Sequence, residues 1–175
     1  MANQRRLFLA LWPDPALREE LSRTTDQAHR ACGGHPVAPE NLHLTLAFLG
    51  QVPDERLPTL LALTDAFSCP SGTITLDRVG YFQRTAMLWL GSQAPTPDLL
   101  GLYQRLWRAL ADEGLSAPER DFLPHVTLLR HAAPPSPGML PSVSLNWHYN
   151  TLQLIESVTT AEGPRYTSLA SSSGE

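Results

Sequence analysis

Lysine is missing from this chain: all 13 of its basic residues are arginine. GC-rich coding would produce such a bias, but the physical consequence stands. Any grip on an anion falls to arginine, histidine, hydroxyls or backbone amides. Cysteine is scarce as well. Cys32 and Cys69 lie far apart and in no CxxC or Cys/His metal spacing, so they read as free thiols in a reducing compartment. No apolar run approaches the roughly 18 residues of a membrane helix. Met1 to Arg6 leads straight into a strand-like segment without signal-peptide architecture. The expectation is a soluble, cytoplasmic protein with no membrane partner, and no obligate protein partner is inferred. A net charge of −4 argues against a broad footprint on duplex nucleic acid and favours a small ligand or a strand end. A Gly-rich phosphate loop, a nucleophilic-serine elbow and a dinucleotide fingerprint are also missing.

What is present is ordinary globular material. Hydrophobic residues make up 42% and charged residues 17% of 175 positions, enough for a core in one domain or in two lobes sharing an interface. Residues 6–12 read as a buried strand. Asp14 and Pro15 open a helix that runs to about residue 31 and stops at Gly33-Gly34. Residues 42–49 alternate as a strand, and Pro53-Asp54 opens a second helix. Strands follow over 73–81 and 86–90. Asp98 caps a third helix in which Leu99, Leu102, Tyr103, Leu106, Trp107 and Leu110 share one stripe. Residues 124–129 alternate again, 131–141 form a proline-rich loop, and 147–156 and 165–169 read as final strands. Residues 171–175 read as a disordered tail.

Two copies of one small pattern stand out. His43-Leu44-Thr45-Leu46 and His125-Val126-Thr127-Leu128 each set a histidine and a threonine two residues apart, hence on one face of a strand. The copies begin 82 residues apart at corresponding places in the order of elements. That order reads as an α+β fold of two lobes related by a pseudo-twofold axis. The apolar face of each motif strand would pack on helices, and the face with the histidine would look into a cleft. Taken singly, each histidine could be a half-buried strand residue with satisfied hydrogen bonds, and each threonine could reflect β-propensity. A matched pair in matched apolar strands favours chemistry. Zinc wants three or four ligands, and no histidine pair at metal spacing includes either motif residue. Paired imidazoles suit acid–base work on a phosphate ester, since their ordinary pKa near 6.5 makes both protonation states reachable. Hydroxyls of Thr45 and Thr127 can donate to the non-bridging oxygens.

The long blocks around these motifs resemble the 2H phosphoesterases, whose signature is two His-x-Thr/Ser-x motifs. The resemblance is to the bacterial RNA 2′,3′-cyclic phosphodiesterase branch, the LigT or ThpR type once called 2′-5′ RNA ligase. It spans Arg6-Leu7-Phe8-Leu9-Ala10, Asn41 through Gly50, Met87 through Gly91, Pro124 through Arg130, and Glu156-Ser157 followed by Gly163-Pro164-Arg165-Tyr166. It implies one α+β domain over 1–175, two intertwined lobes whose antiparallel sheets line a central cleft with helices outside, which opens RNA 2′,3′-cyclic phosphates to 2′-phosphomonoesters without metal or cofactor. Reversible 2′-5′ ligation is implied as a side reaction. Implied ligands are RNA 3′ ends carrying the cyclic phosphate, or small cyclic nucleotides. By the same resemblance His43 is the general acid and His125 the general base. Arg130 contacts substrate and Phe48 stacks on a base, although strict alternation turns both away from the cleft unless the strands bulge. Arg165 and Tyr166 match a late motif, as cleft wall or support. Two readings stay open beside hydrolysis: a nucleotide or RNA-end binding module with little turnover, and a phosphodiesterase for 2′-5′ oligonucleotides or a cyclic ADP-ribose phosphate.

Overall fold

The computed structural model describes residues 3–174. Strand β1 (Gln4–Leu11) buries Leu7, Leu9 and Leu11 completely on one face. Helix α1 (Pro15–Cys32) follows as the sequence predicts. The Asp14 side chain accepts the Leu17 N–H at 2.7 Å, and Leu17, Leu21, Thr25, Ala28 and Cys32 form its buried stripe. A two-residue strand β2 (His35–Pro36) leads to β3 (Leu44–Pro53). A 3-10 turn at Asp54–Arg56 precedes α2 (Leu57–Ala66), so the helix starts later than Pro53-Asp54 alone indicates. Next come β4 (Ser68–Cys69), β5 (Gly72–Leu76), β6 (Arg78–Phe82) and β7 (Met87–Gly91), then α3 (Pro97–Ala111). The cap of α3 is Thr96, whose Oγ1 accepts the Leu99 N–H, with Pro97 in the first turn. Asp98 sits inside that turn, where its charge suits the helix dipole, rather than at the cap. The chain ends with β8 (His125–Arg130), β9 (Leu145–Tyr149), β10 (Gln153–Thr160), β11 (Gly163–Ser171) and β12 (Ser173–Gly174).

The main sheet runs β11-β10-β1-β3-β8-β7-β6, antiparallel at every step, with β2 also on β8. It falls into two halves. β11, β10, β1 and β3 form one lobe; β8, β7, β6 and β2 form the other. They join through one backbone rung, Leu44 with Val126. Helix α2 packs on β10 and β11 and α1 on β8, while α3 lies against β3 and β5. Helix α1 leaves β1 in the first lobe and packs on the second, so the lobes interlock. The core lies between the sheet and these helices. No helix among the described residues is long and apolar enough to cross a membrane.

Three expectations need correction. The strand read over 73–81 breaks at Asp77, which forms a corner: its N–H bonds to Gly91 O, and its Oδ1 accepts the Gln93 N–H. β5 then pairs with β9 in a small separate sheet, while β6 joins the main one. The strand read over 147–156 likewise splits into β9 and β10. The tail expected to be disordered over 171–175 carries backbone pairing in its described part. Buried Ser172 exchanges hydrogen bonds with Leu152, and Ser173–Gly174 runs parallel to Ser68–Cys69. Glu175 lies outside the described residues.

Candidate active site

The site grows from the single rung between lobes. Leu44 and Val126 are wholly buried and face the core. Alternation therefore turns the residue on either side of each to the opposite face of the sheet. Antiparallel register carries His43 toward Thr127 and Thr45 toward His125. All four line one cleft of about 490 Å³. An antiparallel rung has a local twofold axis through its centre, so the pseudo-symmetry axis passes between the motifs.

Phe48 and Arg130 reach the same cleft by matched irregularities. On β3, Thr45 pairs with Ala10 and Ala47 with Leu9, leaving Leu46 as an extra residue. On β8, Thr127 pairs with Trp89 and Leu129 with Leu88, leaving Leu128 extra. Each bulge reverses the alternation one residue after the motif threonine. Phe48 and Arg130 therefore turn into the cleft, each five positions after its histidine, and Phe48 is 52% exposed. The two side chains occupy pseudo-equivalent places. One lobe offers an aromatic face where the other offers a guanidinium.

Both rings are anchored alike. His43 Nδ1 lies 2.7 Å from Asn41 O, and His125 Nδ1 lies 2.7 Å from Leu123 O. A carbonyl only accepts, so each Nδ1 carries a proton and each Nε2 is left for the cleft. In the neutral ring, His43 Nε2 accepts from Thr45 Oγ1 at 3.1 Å. The Asn41 side chain donates to Pro164 O at 3.1 Å, tying the turn that orients His43 to the start of β11.

The surroundings of the two rings differ. His43 stacks between Phe8 and Trp12, at 4.9 and 5.0 Å between centroids, with the edge of Tyr166 at 5.3 Å. His125 meets Phe82 edge-on at 5.2 Å and Trp89 at 5.7 Å. Burial lowers His43 to about 4 against its bond to Asn41, and the charges of Arg130 and His125 push the same way. Burial also lowers His125, opposed by the Leu123 carbonyl and reinforced by Arg120. Both imidazoles are thus neutral in the free protein near pH 7.

Tyr166 lines the cleft, whereas Arg165, one residue earlier, is exposed and outside its lining. Arg6, Phe8, Asn41, Ser157 and Thr159 also line it, and the sequence reading did not single them out as site residues. A signal was available for two: if Leu7, Leu9 and Leu11 face the core, then Arg6 and Phe8 face the other way. Among the described residues, no group of three His, Cys, Asp or Glu side chains is arranged to hold a metal ion.

Comparison with known proteins agrees with this geometry. The sequence model of the LigT-like phosphoesterases matches residues 11–89, which include the first motif. The RNA 2′,3′-cyclic phosphodiesterase of Escherichia coli is 36% identical over 149 residues, 85% of this chain and 84% of that one. The protein of the same name from Thermus thermophilus is 33% identical over 175 aligned residues, 94% of this chain and 87% of that one. E. coli LigT in apo form superposes with a TM-score of 0.82 at 33% identity, covering 97% of this chain and 96% of that one. Its complex with 3′-AMP gives 0.80 at 32%, covering 97% of each. Two histidines anchored alike about one rung, on a backbone shared with these proteins almost end to end, make this chain a member of the LigT-like phosphoesterase family.

Proposed function

We propose that this chain hydrolyses RNA 2′,3′-cyclic phosphate ends to 2′-phosphomonoesters by metal-independent acid–base catalysis. The observation that carries the reading is the matched pair of Nδ1-anchored imidazoles flanking the Leu44–Val126 rung. Support also comes from relatives named RNA 2′,3′-cyclic phosphodiesterase and from the 3′-AMP complex of E. coli LigT. The natural ligand is then an RNA 3′ end or a small cyclic nucleotide, met in the cytoplasm. Reversible 2′-5′ ligation is a side reaction of the same site.

Ring opening needs water to approach phosphorus opposite the departing 3′ oxygen. His125 Nε2 takes the water proton as the new P–O bond forms. The P–O3′ bond breaks, and His43 gives its Nε2 proton to O3′. The products are a 2′-phosphomonoester and a free 3′-hydroxyl. Thr45 and Thr127 donate to the non-bridging oxygens, and Arg130 balances their charge. Neutral His125 suits the base without adjustment. His43 must gain a proton, and the substrate supplies the reason. The phosphodiester anion offsets the burial that disfavours a charged ring and the repulsion from Arg130.

Turnover of a dinucleotide 2′,3′-cyclic phosphate in the presence of chelator tests the reading. A 2′-phosphate product formed at full rate is the expected result. Dependence on an added metal would remove the mechanism, and tight binding without turnover would establish a binding module instead.

A further inference from the structure

Two adjacent arginines open β1, and they face different company. Arg5 is engaged by carboxylates, with Asp54 at 3.1 Å and Glu156 at 3.2 Å. Arg6 turns to the cleft face, where no carboxylate contributes to the lining. Its guanidinium carbon lies 4.9 Å from the centroid of the Phe48 ring. A cation–π contact of this kind holds the guanidinium over the ring and leaves N–H donors for another partner. The rung partner of Arg6 on β10 is Ser157, which also lines the cleft, so a hydroxyl shares this face on the other side of β1. Together they form a cationic donor set without an anion.

That set is displaced from the reacting centre. Phe48 pairs with Phe8, one row outward from the Ala10–Thr45 pair. A strand row of two residues spans about 7 Å, well beyond the ~3 Å of a hydrogen bond. The cation whose charge bears on His43 is Arg130, not Arg6. Arg6 is thus an exposed cation on the cleft face, rooted outward of the pair of threonines and open to a second anion. Along an RNA strand, the next anion is one nucleoside away.

We propose that Arg6, held over Phe48, binds the phosphodiester on the 5′ side of the terminal nucleotide, so that the cleft prefers a strand end to a free cyclic mononucleotide. The inference rests on the function proposed above, because it takes the cyclic terminus to lie at the two histidines.

The test compares three substrates: a 2′,3′-cyclic mononucleotide with a free 5′-hydroxyl, a dinucleotide ending in the same group, and that dinucleotide with a neutral methylphosphonate linkage. Arg6→Ala should raise the dinucleotide KM about tenfold relative to the mononucleotide KM, with kcat changing little by comparison. Arg6→Lys should recover part of the loss. The methylphosphonate should cost the natural protein the same preference and cost Arg6→Ala nothing more. The salt dependence of log kcat/KM for the dinucleotide should fall by about 0.7 in slope. Equal losses on mononucleotide and dinucleotide would overturn the proposal, as would no loss on either. If the natural protein turned over none of these substrates, the hydrolase reading would fail by itself. Calorimetric affinities for the same three ligands would then decide the role of Arg6 by the same ratios.

Discussion

Leu44 and Val126 face each other across the rung that joins the two lobes, and each is the central residue of a His-x-Thr motif. This pairing explains why the motifs are doubled. One antiparallel rung places two histidines and two threonines around a twofold axis with no further device. It also explains why the middle residues are apolar. Both are fully buried, and their burial holds the face of each strand that bears histidine and threonine toward the cleft.

The histidines should then be separable from the fold. His43→Ala and His125→Ala each remove a partly exposed ring whose anchor is a carbonyl at a strand entry. Each should lower kcat on a cyclic phosphate by about 10²- to 10⁴-fold while leaving the circular dichroism spectrum unchanged. Either variant keeping a near-normal rate would take that ring out of the mechanism.

Phe48 offers a complementary test. Half its surface is open, so Phe48→Ala should cost little stability. A base stacked on an aromatic ring is worth about 1–3 kcal/mol, so KM should rise roughly 5- to 150-fold with kcat less affected. Phe48→Tyr, which keeps the face, should restore binding. A large drop in melting temperature with unchanged KM would make Phe48 a packing residue.

How far these features could be read from the chain depends on whether they leave a local chemical mark. The three helices leave stripes, and the two motif strands leave clean alternation, so both were legible. The bulges at Leu46 and Leu128 leave no mark, because leucine fits a bulge and a regular strand alike. Strict alternation therefore assigns Phe48 and Arg130 to the wrong face. By contrast Gly50, at φ +71°, marks a second irregularity on β3, where Leu49 is also extra. The corner at Asp77 was hidden for a different reason. Thr73 to Tyr81 carries strand-forming residues on both sides of Asp77, and tertiary bonds to Gly91 and Gln93 fix the break there. The serine-rich end looked solvated because serine rarely packs, yet Ser172 finds both backbone groups of Leu152.

Gly80 should prove sensitive although it is outside the cleft lining. A Cβ there would strike the indole of Trp89, and Trp89 backs the His125 ring. Trp89 is nearly buried, so it cannot swing aside freely. Gly80→Ala should cost about 1–3 kcal/mol from overpacking and should also reduce kcat through displacement of His125. Denaturant titration and turnover measured together check this. A stability loss with full activity would show that His125 does not depend on Trp89 for its position.

Acid should destabilise this protein partly through His43. Its pKa is about 4 in the folded state and near 6.5 when unfolded. Between those values the unfolded chain binds a proton that the folded chain refuses, so folding stability falls as pH drops from 6.5 toward 4. The His43 contribution over that window is up to about 3 kcal/mol. His125 is lowered too and acts in the same direction. Carboxylates also titrate there, so the informative quantity is the difference between the natural protein and His43→Asn. Urea midpoints at pH 7.5 and 4.5 should diverge more for the natural protein than for the variant. Inorganic phosphate should narrow that divergence, because an anion between the lobes pairs with the imidazolium that burial otherwise penalises. Parallel pH curves for the two proteins, with no effect of phosphate, would mean that the aromatic stack around His43 does not exclude its charged form.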